Sequence, residues 1–246
     1  MLKAKDIIIK PISSKTAGKI IKAIHYSGSV CQNSKIHFGV FLNEKCGGAL
    51  QFGPPMDKRK TITLVKNTRW NGFLELNRMA LAEWLPKNGE SRAISICLKI
   101  IKKRYPFIKW VVSYADGTQC GDGTIYRASG FYLTSIKKNT TILLMPNGKI
   151  ITDKSLNNHK IKNAGWCKKK GAKPLPGFQL RYIYFIDKSK KKDLTVPILP
   201  FSAIKEFKAG MYKGIKRVPN STDSGVQPEK GGANPTHTLQ TTESTC

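Results

Sequence analysis

Ile108-Lys109-Trp110-Val111-Val112-Ser113-Tyr114-Ala115-Asp116 is the stretch on which the fold turns. It is a nearly unbroken apolar run, of the kind expected for a central strand buried on both faces of a sheet, and it ends in a carboxylate. A glycine-rich loop over residues 117–123 follows, then a short helix over 124–129 that Gly130 can close as a left-handed cap. Upstream, Ile94, Cys97, Leu98, Ile101 and Tyr105 recur at helical spacing from about Asn88 until Pro106 stops the helix. Residues 73–82 read as the strand before it. Earlier still, residues 36–42 and 48–52 form an antiparallel hairpin turned at Asn43-Glu44-Lys45. Ala17, Ile20, Ile21 and Ile24 mark one face of a helix capped by Ser13 or Ser14 and ending near His25-Tyr26-Ser27-Gly28. Downstream, residues 131–135 and 141–145 are two more strands joined by Lys137-Lys138-Asn139, and 179–187 is a further strand. The sum is an α/β (α+β) chain built on a mixed sheet with helices on both faces.

A chain of 246 residues has room for one full-sized core. Residues 1–148 carry the elements of a catalytic core. Residues 149–218 are a basic extension with a further strand, expected to pack on the core and contact nucleic acid. Residues 219–246 are Ser, Thr, Gly, Pro and Gln with almost no large apolar side chain, a composition that predicts disorder.

Charge is the outlying property. Lys plus Arg number 43 against 15 Asp plus Glu, a formal +28 at pH 7. Such a field suits a polyanion, and nucleic acid fits it best, because neutralising phosphates releases counterions without any base-specific contact. The excess of Lys over Arg also fits an A·T-rich genome. Within residues 154–173, Lys162, Lys168, Lys169 and Lys170 surround Trp166, which marks this segment as a DNA-contact candidate; a solvated loop is the plainer alternative. No run approaches the ~20 apolar residues of a membrane span, and the N-terminus lacks a signal-peptide pattern, so a cytoplasmic location is expected. The six cysteines form no C-x-x-C pair, which indicates neither a disulfide framework nor a zinc site.

Several positions can carry chemistry. In the acetyltransferase arrangement called the GNAT fold, a central strand splays from its parallel neighbour and a cofactor pyrophosphate rests on the start of the next helix. Asn88, Gly89, Ser91 and Arg92 stand at such a helix start, where unpartnered backbone N–H groups face an anion; Asn88 serving only as a cap, with Arg92 solvated, is the other reading. Glu90, where that pattern has a small residue, would repel a pyrophosphate. Asp116, at a strand end, lies where open α/β sheets bind ligands, or bonds its own turn with Gly117.

The blocks Glu75-Leu76-Asn77-Arg78-Met79, Pro86-Lys87-Asn88-Gly89-Glu90-Ser91-Arg92, Ser113-Tyr114-Ala115-Asp116 and Gly123-Thr124-Ile125-Tyr126-Arg127-Ala128-Ser129, with His25-Tyr26-Ser27 before them, resemble the bacteriophage Mom family over roughly residues 20–145. The resemblance implies a GNAT-like fold and an enzyme that adds a carbamoylmethyl group to N6 of adenine in double-stranded DNA, shielding phage DNA from restriction. On that reading Asp116 accepts the N6 proton or orients the base, and Tyr126 donates a proton to the leaving group. Ser91 adds a contact at the helix start, and His25 and Tyr26 hold a flipped adenine, with Tyr114 and Trp70 as further stacking candidates. Packing in the core is the alternative for Tyr126 and the stacking aromatics, and a favourable helix-dipole contact for His25. The donor is acetyl-CoA-like or glycine-derived. Iron is implied by the resemblance alone, since the four histidines show no facial-triad spacing and name no ligands.

Three competing functions have their own signatures. A methyltransferase needs a polar-Pro-Pro-aromatic tetrad, which Gly53-Pro54-Pro55-Met56 imitates without either end. An acetyltransferase acting on a non-DNA amine would share the fold. A non-catalytic DNA-coating protein would explain the charge but has no need of Ser-Tyr-Ala-Asp at a strand end.

Overall fold

The computed structural model describes residues 3–152, 167, 169–212 and 214–216. A seven-stranded sheet forms the centre, in the order β1 (Ile8–Pro11), β2 (Ile36–Leu42), β3 (Lys45–Gly53), β4 (Phe73–Leu81), β5 (Trp110–Gly117), β10 (Phe178–Phe185), β6 (Tyr132–Lys138). All neighbours are antiparallel except β4 and β5. The β2–β3 turn is closed by Asn43 and Glu44, both at positive φ.

Helices cover both faces. On one, α1 (Ser14–Ile24) is capped by Ser13, whose hydroxyl accepts from the Thr16 N–H at 3.0 Å. Its Ala17 and Ile21 are buried with Ala49 and Ala80. Farther along that face, α2 (Lys58–Ile62) and the chain after it lay Leu64 and Val65 on Phe73, Trp110, Val112, Ile183 and Phe185. Trp110 stacks on Phe73 with ring centroids 4.4 Å apart and gives its indole N–H to Thr68 Oγ1 at 3.0 Å. Truncating so large a buried ring would cost about 3–5 kcal/mol.

On the opposite face, α3 (Gly89–Arg104) buries Ala93, Ile94, Cys97, Leu98 and Ile101, and α4 (Thr124–Ala128) adds Tyr126, over a core that includes Leu74, Leu76, Val111, Ala115 and Leu180. The helices therefore lie on both faces, as the periodicity predicts. Gly123, before α4, has φ +86°, and a Cβ there would run into the Tyr182 ring; the Tyr182 hydroxyl donates to the Asp122 carbonyl. Only glycine fits that approach.

The joint between β4 and β5 positions the site. The register of β3 against β4 passes from Gln51↔Arg78 to Phe52↔Leu76, so Asn77 is the extra residue of a β-bulge. Asn77 is buried and accepts from the Ser34 hydroxyl at 3.0 Å. β4 pairs with β5 only through Phe73↔Trp110, Leu74↔Val111 and Glu75↔Val112. Beyond the bulge β4 stays with β3, while β5 stays with β10 along its whole length. A wedge opens between the two parallel strands toward Asp116.

Two features lay outside the reach of sequence periodicity. The strand predicted beyond residue 149 is β10, and it sits inside the main sheet between β5 and β6. The strands read at 131–135 and 141–145 belong to different sheets, since β7 (Ile142–Leu144) pairs with β8 (Ile150–Thr152) and β9 (Lys173–Pro174). Buried Asn139 turns the chain between them, its amide donating to the carbonyls of Ile142 and Leu175 at 2.8 Å each.

A candidate active site at the mouth of the splayed strands

Alternation along β5 puts Val111, Ser113 and Ala115 toward α3 and α4, and Val112, Tyr114 and Asp116 toward the face that carries α1 and α2. Asp116 therefore emerges where β4 has already diverged. Five donors converge on its carboxylate. Oδ1 accepts from the Thr118 N–H (2.9 Å), the Thr118 hydroxyl (2.5 Å) and Gln179 Nε2 (3.0 Å). Oδ2 accepts from the Tyr26 hydroxyl (3.0 Å) and Gln119 Nε2 (3.3 Å).

The turn reading of Asp116 is realised. One oxygen closes the local turn after the strand, and the other faces Tyr26 from the end of α1. Tyr26 is 49% exposed, and its hydroxyl is held by Asp116. Burial, Asp116's charge and the hydrogen bond to it raise the phenol above its usual range. His25 stacks on Tyr26 at 4.4 Å, and its Nδ1 meets the Ser27 hydroxyl at 2.8 Å. Burial, helped by the Arg78 charge and opposed by Asp116, lowers the His25 pKa to about 4. The imidazole is neutral at pH 7, so it can accept as well as donate. Arg78 reaches in from β4, giving Nε to the Ser29 carbonyl at 3.2 Å.

Tyr126 is 8% exposed, packed against Tyr182 and Phe131 at 5.2 and 5.5 Å. It lies on the α4 side of the sheet, opposite the face to which Asp116 points. Burial pushes its phenol up to about 12; the nearby Ser113 hydroxyl opposes the rise, although no hydrogen bond of good geometry joins them. Ser113 Oγ is itself buried without a hydrogen-bond partner among the described residues.

The aromatics Tyr114 and Trp70, with core packing as their plainer reading, are surface residues, 42% and 52% exposed. Tyr114 leaves the interior because β4 no longer covers β5 at that point. Its phenol is raised, chiefly by burial of the hydroxyl end and then by Glu75; Arg181, together with Thr61 and Asp57 of the α2 region, also acts on it.

At the start of α3, Asn88 has φ 68° and makes no side-chain cap bond, so it does not act as the expected cap. Ser91 donates to the Asn88 carbonyl at 3.2 Å, and Arg92 is exposed. Gly89 is buried, and a Cβ on it would meet Ile7 Cδ1 at 3.2 Å. Glu90 places a carboxylate in the first turn, where a pyrophosphate would need open N–H groups. The Glu90 carboxylate therefore opposes a pyrophosphate at the helix start that Asn88, Gly89, Ser91 and Arg92 form. Among the described residues no three His, Cys, Asp or Glu side chains converge as a metal site requires, so no iron ligands are assigned.

Of the DNA-contact candidates, Lys169 and Lys170 are exposed beside buried Cys167, while Lys162, Trp166 and Lys168 fall outside the described residues. The tail after residue 219 also falls outside them. Sequence reading missed Gln119 and Gln179. A glutamine 63 positions from its partner carries no local signal, and only the β5–β10 register, Gln179↔Asp116, brings the two together.

Among solved structures, the fold is similar to the IAA acetyltransferase of Bacillus cereus (12% identity, TM-score 0.43, covering 73% of this chain and 99% of that one). It is also similar to the spermidine/spermine N-acetyltransferase SpeG of Vibrio cholerae (9% identity, TM-score 0.44, covering 77% and 98%). Likenesses this loose carry no functional weight. The sequence is 35% identical over 202 residues to the Methylcarbamoylase mom of Escherichia phage Mu, covering 79% of this chain and 82% of that protein. The model of the Mom protein family matches residues 6–203, which span both the splayed strands and β10. The chain belongs to the Mom protein family.

Proposed function

We propose that this chain is a DNA-modifying transferase that adds a carbamoylmethyl group to N6 of adenine, with the base extruded from the duplex into the basin around Asp116. The observation that carries the reading is the convergence of Tyr26, Gln119, Thr118 and Gln179 on one carboxylate at the mouth of the wedge. Membership of the family and the +28 charge supply the substrate class.

Adenine's exocyclic amine is a weak nucleophile, because its lone pair is delocalised into the ring. Asp116 accepts a hydrogen bond from N6–H and takes the proton as the new N6–CH2 bond forms. The donor carries a methylene between a carboxamide and a leaving group, and the bond to that leaving group breaks as N6 attacks. Tyr126, buried on the other face of the sheet with its phenol held protonated at neutral pH, supplies the proton to the departing group on this reading only through the gap that β4 leaves beside β5. His25 and Tyr26 line the basin, neutral imidazole stacked on phenol, and offer a face for the flipped base in place of its lost neighbours. Arg78 places a cation beside them.

Mass spectrometry of nucleosides from cells making the protein tests the reading. N6-carbamoylmethyl-deoxyadenosine is expected. A digest containing only adenine and N6-methyladenine would overturn it, and consumption of acetyl-CoA with a non-DNA amine would favour the acetyltransferase alternative.

A further inference from the structure

Three basic segments, two of them consecutive and the third more than 100 residues away in sequence, meet over the apolar layer of Trp110 and Phe73. They are α2, with Lys58, Arg59 and Lys60; the loop that follows it, with Lys66 and Arg69; and the 3-10 turn Lys188–Asp193. Backbone bonds fasten them, Lys66 N–H to the Asp193 carbonyl at 2.8 Å and Thr195 N–H to the Leu64 carbonyl at 2.9 Å. Lys190 Nζ adds a bond to the Asn67 carbonyl at 3.3 Å and an ion pair to Asp193 at 2.7 Å. Arg59, Lys60, Lys66, Arg69, Lys191 and Lys192 are exposed around them. Trp70 stands in the same surface, its ring under Lys58 Nζ at 4.5 Å. So many cations held within one rigid patch repel one another, and an exposed indole among them gains nothing from water. Both suit a partner that brings regularly spaced negative charge together with flat sugar and base surfaces.

We infer that this basic cap is the track for the phosphate backbone of duplex DNA, on the same face of the sheet as Asp116. The inference rests on the DNA-modifying reading above and adds to it where the duplex lies. The cap and the basin share one face, because Trp110, Val112, Tyr114 and Asp116 alternate toward it along β5 and the first two are covered by Leu64 and Val65 of the cap. From Trp110 under the cap to Asp116 the strand runs six residues, about 20 Å at ~3.3 Å per residue, or roughly six phosphate spacings along one strand. A duplex seated on the cap thus passes the basin within the same half-turn or so, and an adenine turned out of it reaches Asp116. The opposite face carries its own cations, Lys99, Lys102, Lys103 and Arg104 on α3, but these lie across the sheet from the basin.

The test uses the full chain and a fluorescent duplex containing adenine, titrated over a series of salt concentrations. The quadruple variant Arg59→Ala, Lys60→Ala, Lys66→Ala, Lys192→Ala removes four exposed cations from the cap. The matched variant Lys99→Ala, Lys102→Ala, Lys103→Ala, Arg104→Ala removes four from α3. The cap variant is expected to lower the slope of log affinity against log salt by up to about 3.6, at ~0.9 per lost phosphate contact, and to reduce adenine modification in parallel. The α3 variant is expected to keep the wild-type slope. Equal losses in both, or a loss confined to Lys168→Ala, Lys169→Ala, Lys170→Ala, would overturn the assignment. A wild-type chain that binds through the cap but leaves adenine unmodified would refute the proposed reaction and leave the surface standing. Circular dichroism of each variant separates lost contacts from lost folding.

Discussion

Replacing Asp116 by asparagine keeps the shape of the side chain and removes its charge. Asparagine has one oxygen and a donating NH2. With its oxygen on the Oδ1 side, it still accepts from Thr118 and Gln179, as the carboxylate does. Its NH2 then faces Gln119 Nε2 and the Tyr26 hydroxyl, so one bond becomes donor against donor and the other reverses. A hydrogen bond to a charged group contributes about 1.5–3 kcal/mol, and partial access of water to this site puts the loss from two of them at roughly 2–3 kcal/mol. A domain with ~5–15 kcal/mol of stability survives that. At ~2–4 °C per kcal/mol for a chain of this size, Tm should fall by about 4–12 °C without loss of cooperativity. DNA affinity, carried by contacts to phosphate, should be unchanged. The modification rate should drop by about 10²–10⁴, the usual contribution of a positioned general base. Removing the charge should also bring the Tyr26 phenol back toward its ordinary range, which absorbance titration can follow. The assay compares melting, duplex binding and nucleoside mass spectrometry on the same preparations. An Asp116→Asn protein that binds DNA and modifies adenine at the original rate would show that the carboxylate serves only its turn and its neighbours.

Other perturbations probe separate parts of the molecule. Tyr126→Phe removes one buried hydroxyl and should leave Tm within about 1 kcal/mol equivalent while slowing modification by about 10²-fold or more; an unchanged rate would assign Tyr126 to packing alone. His25 has a folded pKa of about 4 against 6.5 for the free side chain, so the unfolded chain binds the proton more readily between those values. Its contribution is full above pH 6.5 and is lost as pH falls toward 4, so His25→Gln should flatten the decline of Tm between pH 7 and pH 5; identical profiles would contradict the buried neutral imidazole. Gly123→Ala drives a methyl into the Tyr182 ring at positive φ and should cost about 2–4 kcal/mol by thermal melting, whereas a neutral result would mean that the loop before α4 can yield. Truncation after residue 219 should leave folding and modification intact, as its composition implies. Truncation after residue 209 removes the Met211 carbonyl that accepts from the Asp122 N–H at 3.0 Å and the Gly214 N–H that donates to the Cys120 carbonyl at 2.9 Å; it should loosen the glycine-rich loop, seen as faster amide exchange over residues 118–123.

How far the sequence reaches depends on the range of the interactions involved. α1, the β2–β3 hairpin, α3 and the Gly130 cap follow from spacing and turn chemistry within a few residues of one another, and the structure has them where those signals lie. Sheet order is a different kind of information. β10 enters between β5 and β6 although more than 30 residues separate it from either in sequence, and nothing in its own alternation says which strands it will join. The same limit governs the site. Asp116 and Tyr26 are visible as a strand end and a helix end, but their 3.0 Å contact spans 90 residues, and Gln179 reaches the carboxylate only because of a register fixed along eight residue pairs.

Base-rate reasoning also fails where the bulge at Asn77 acts. Tyr114 and Trp70 carry side chains that are ordinarily buried, and Tyr114 sits in the most apolar strand of the chain. One unpaired residue in β4 withdraws that strand from its neighbour, and it is past this withdrawal that Tyr114 is exposed and Asp116 only half-buried. The local rule that a run such as residues 108–115 is covered on both faces therefore holds as far as Ser113 and breaks at the next residue. The polar bonds that hold the bulge, Ser34 to Asn77 above all, therefore set the position of β4 beside Asp116 without contacting the carboxylate.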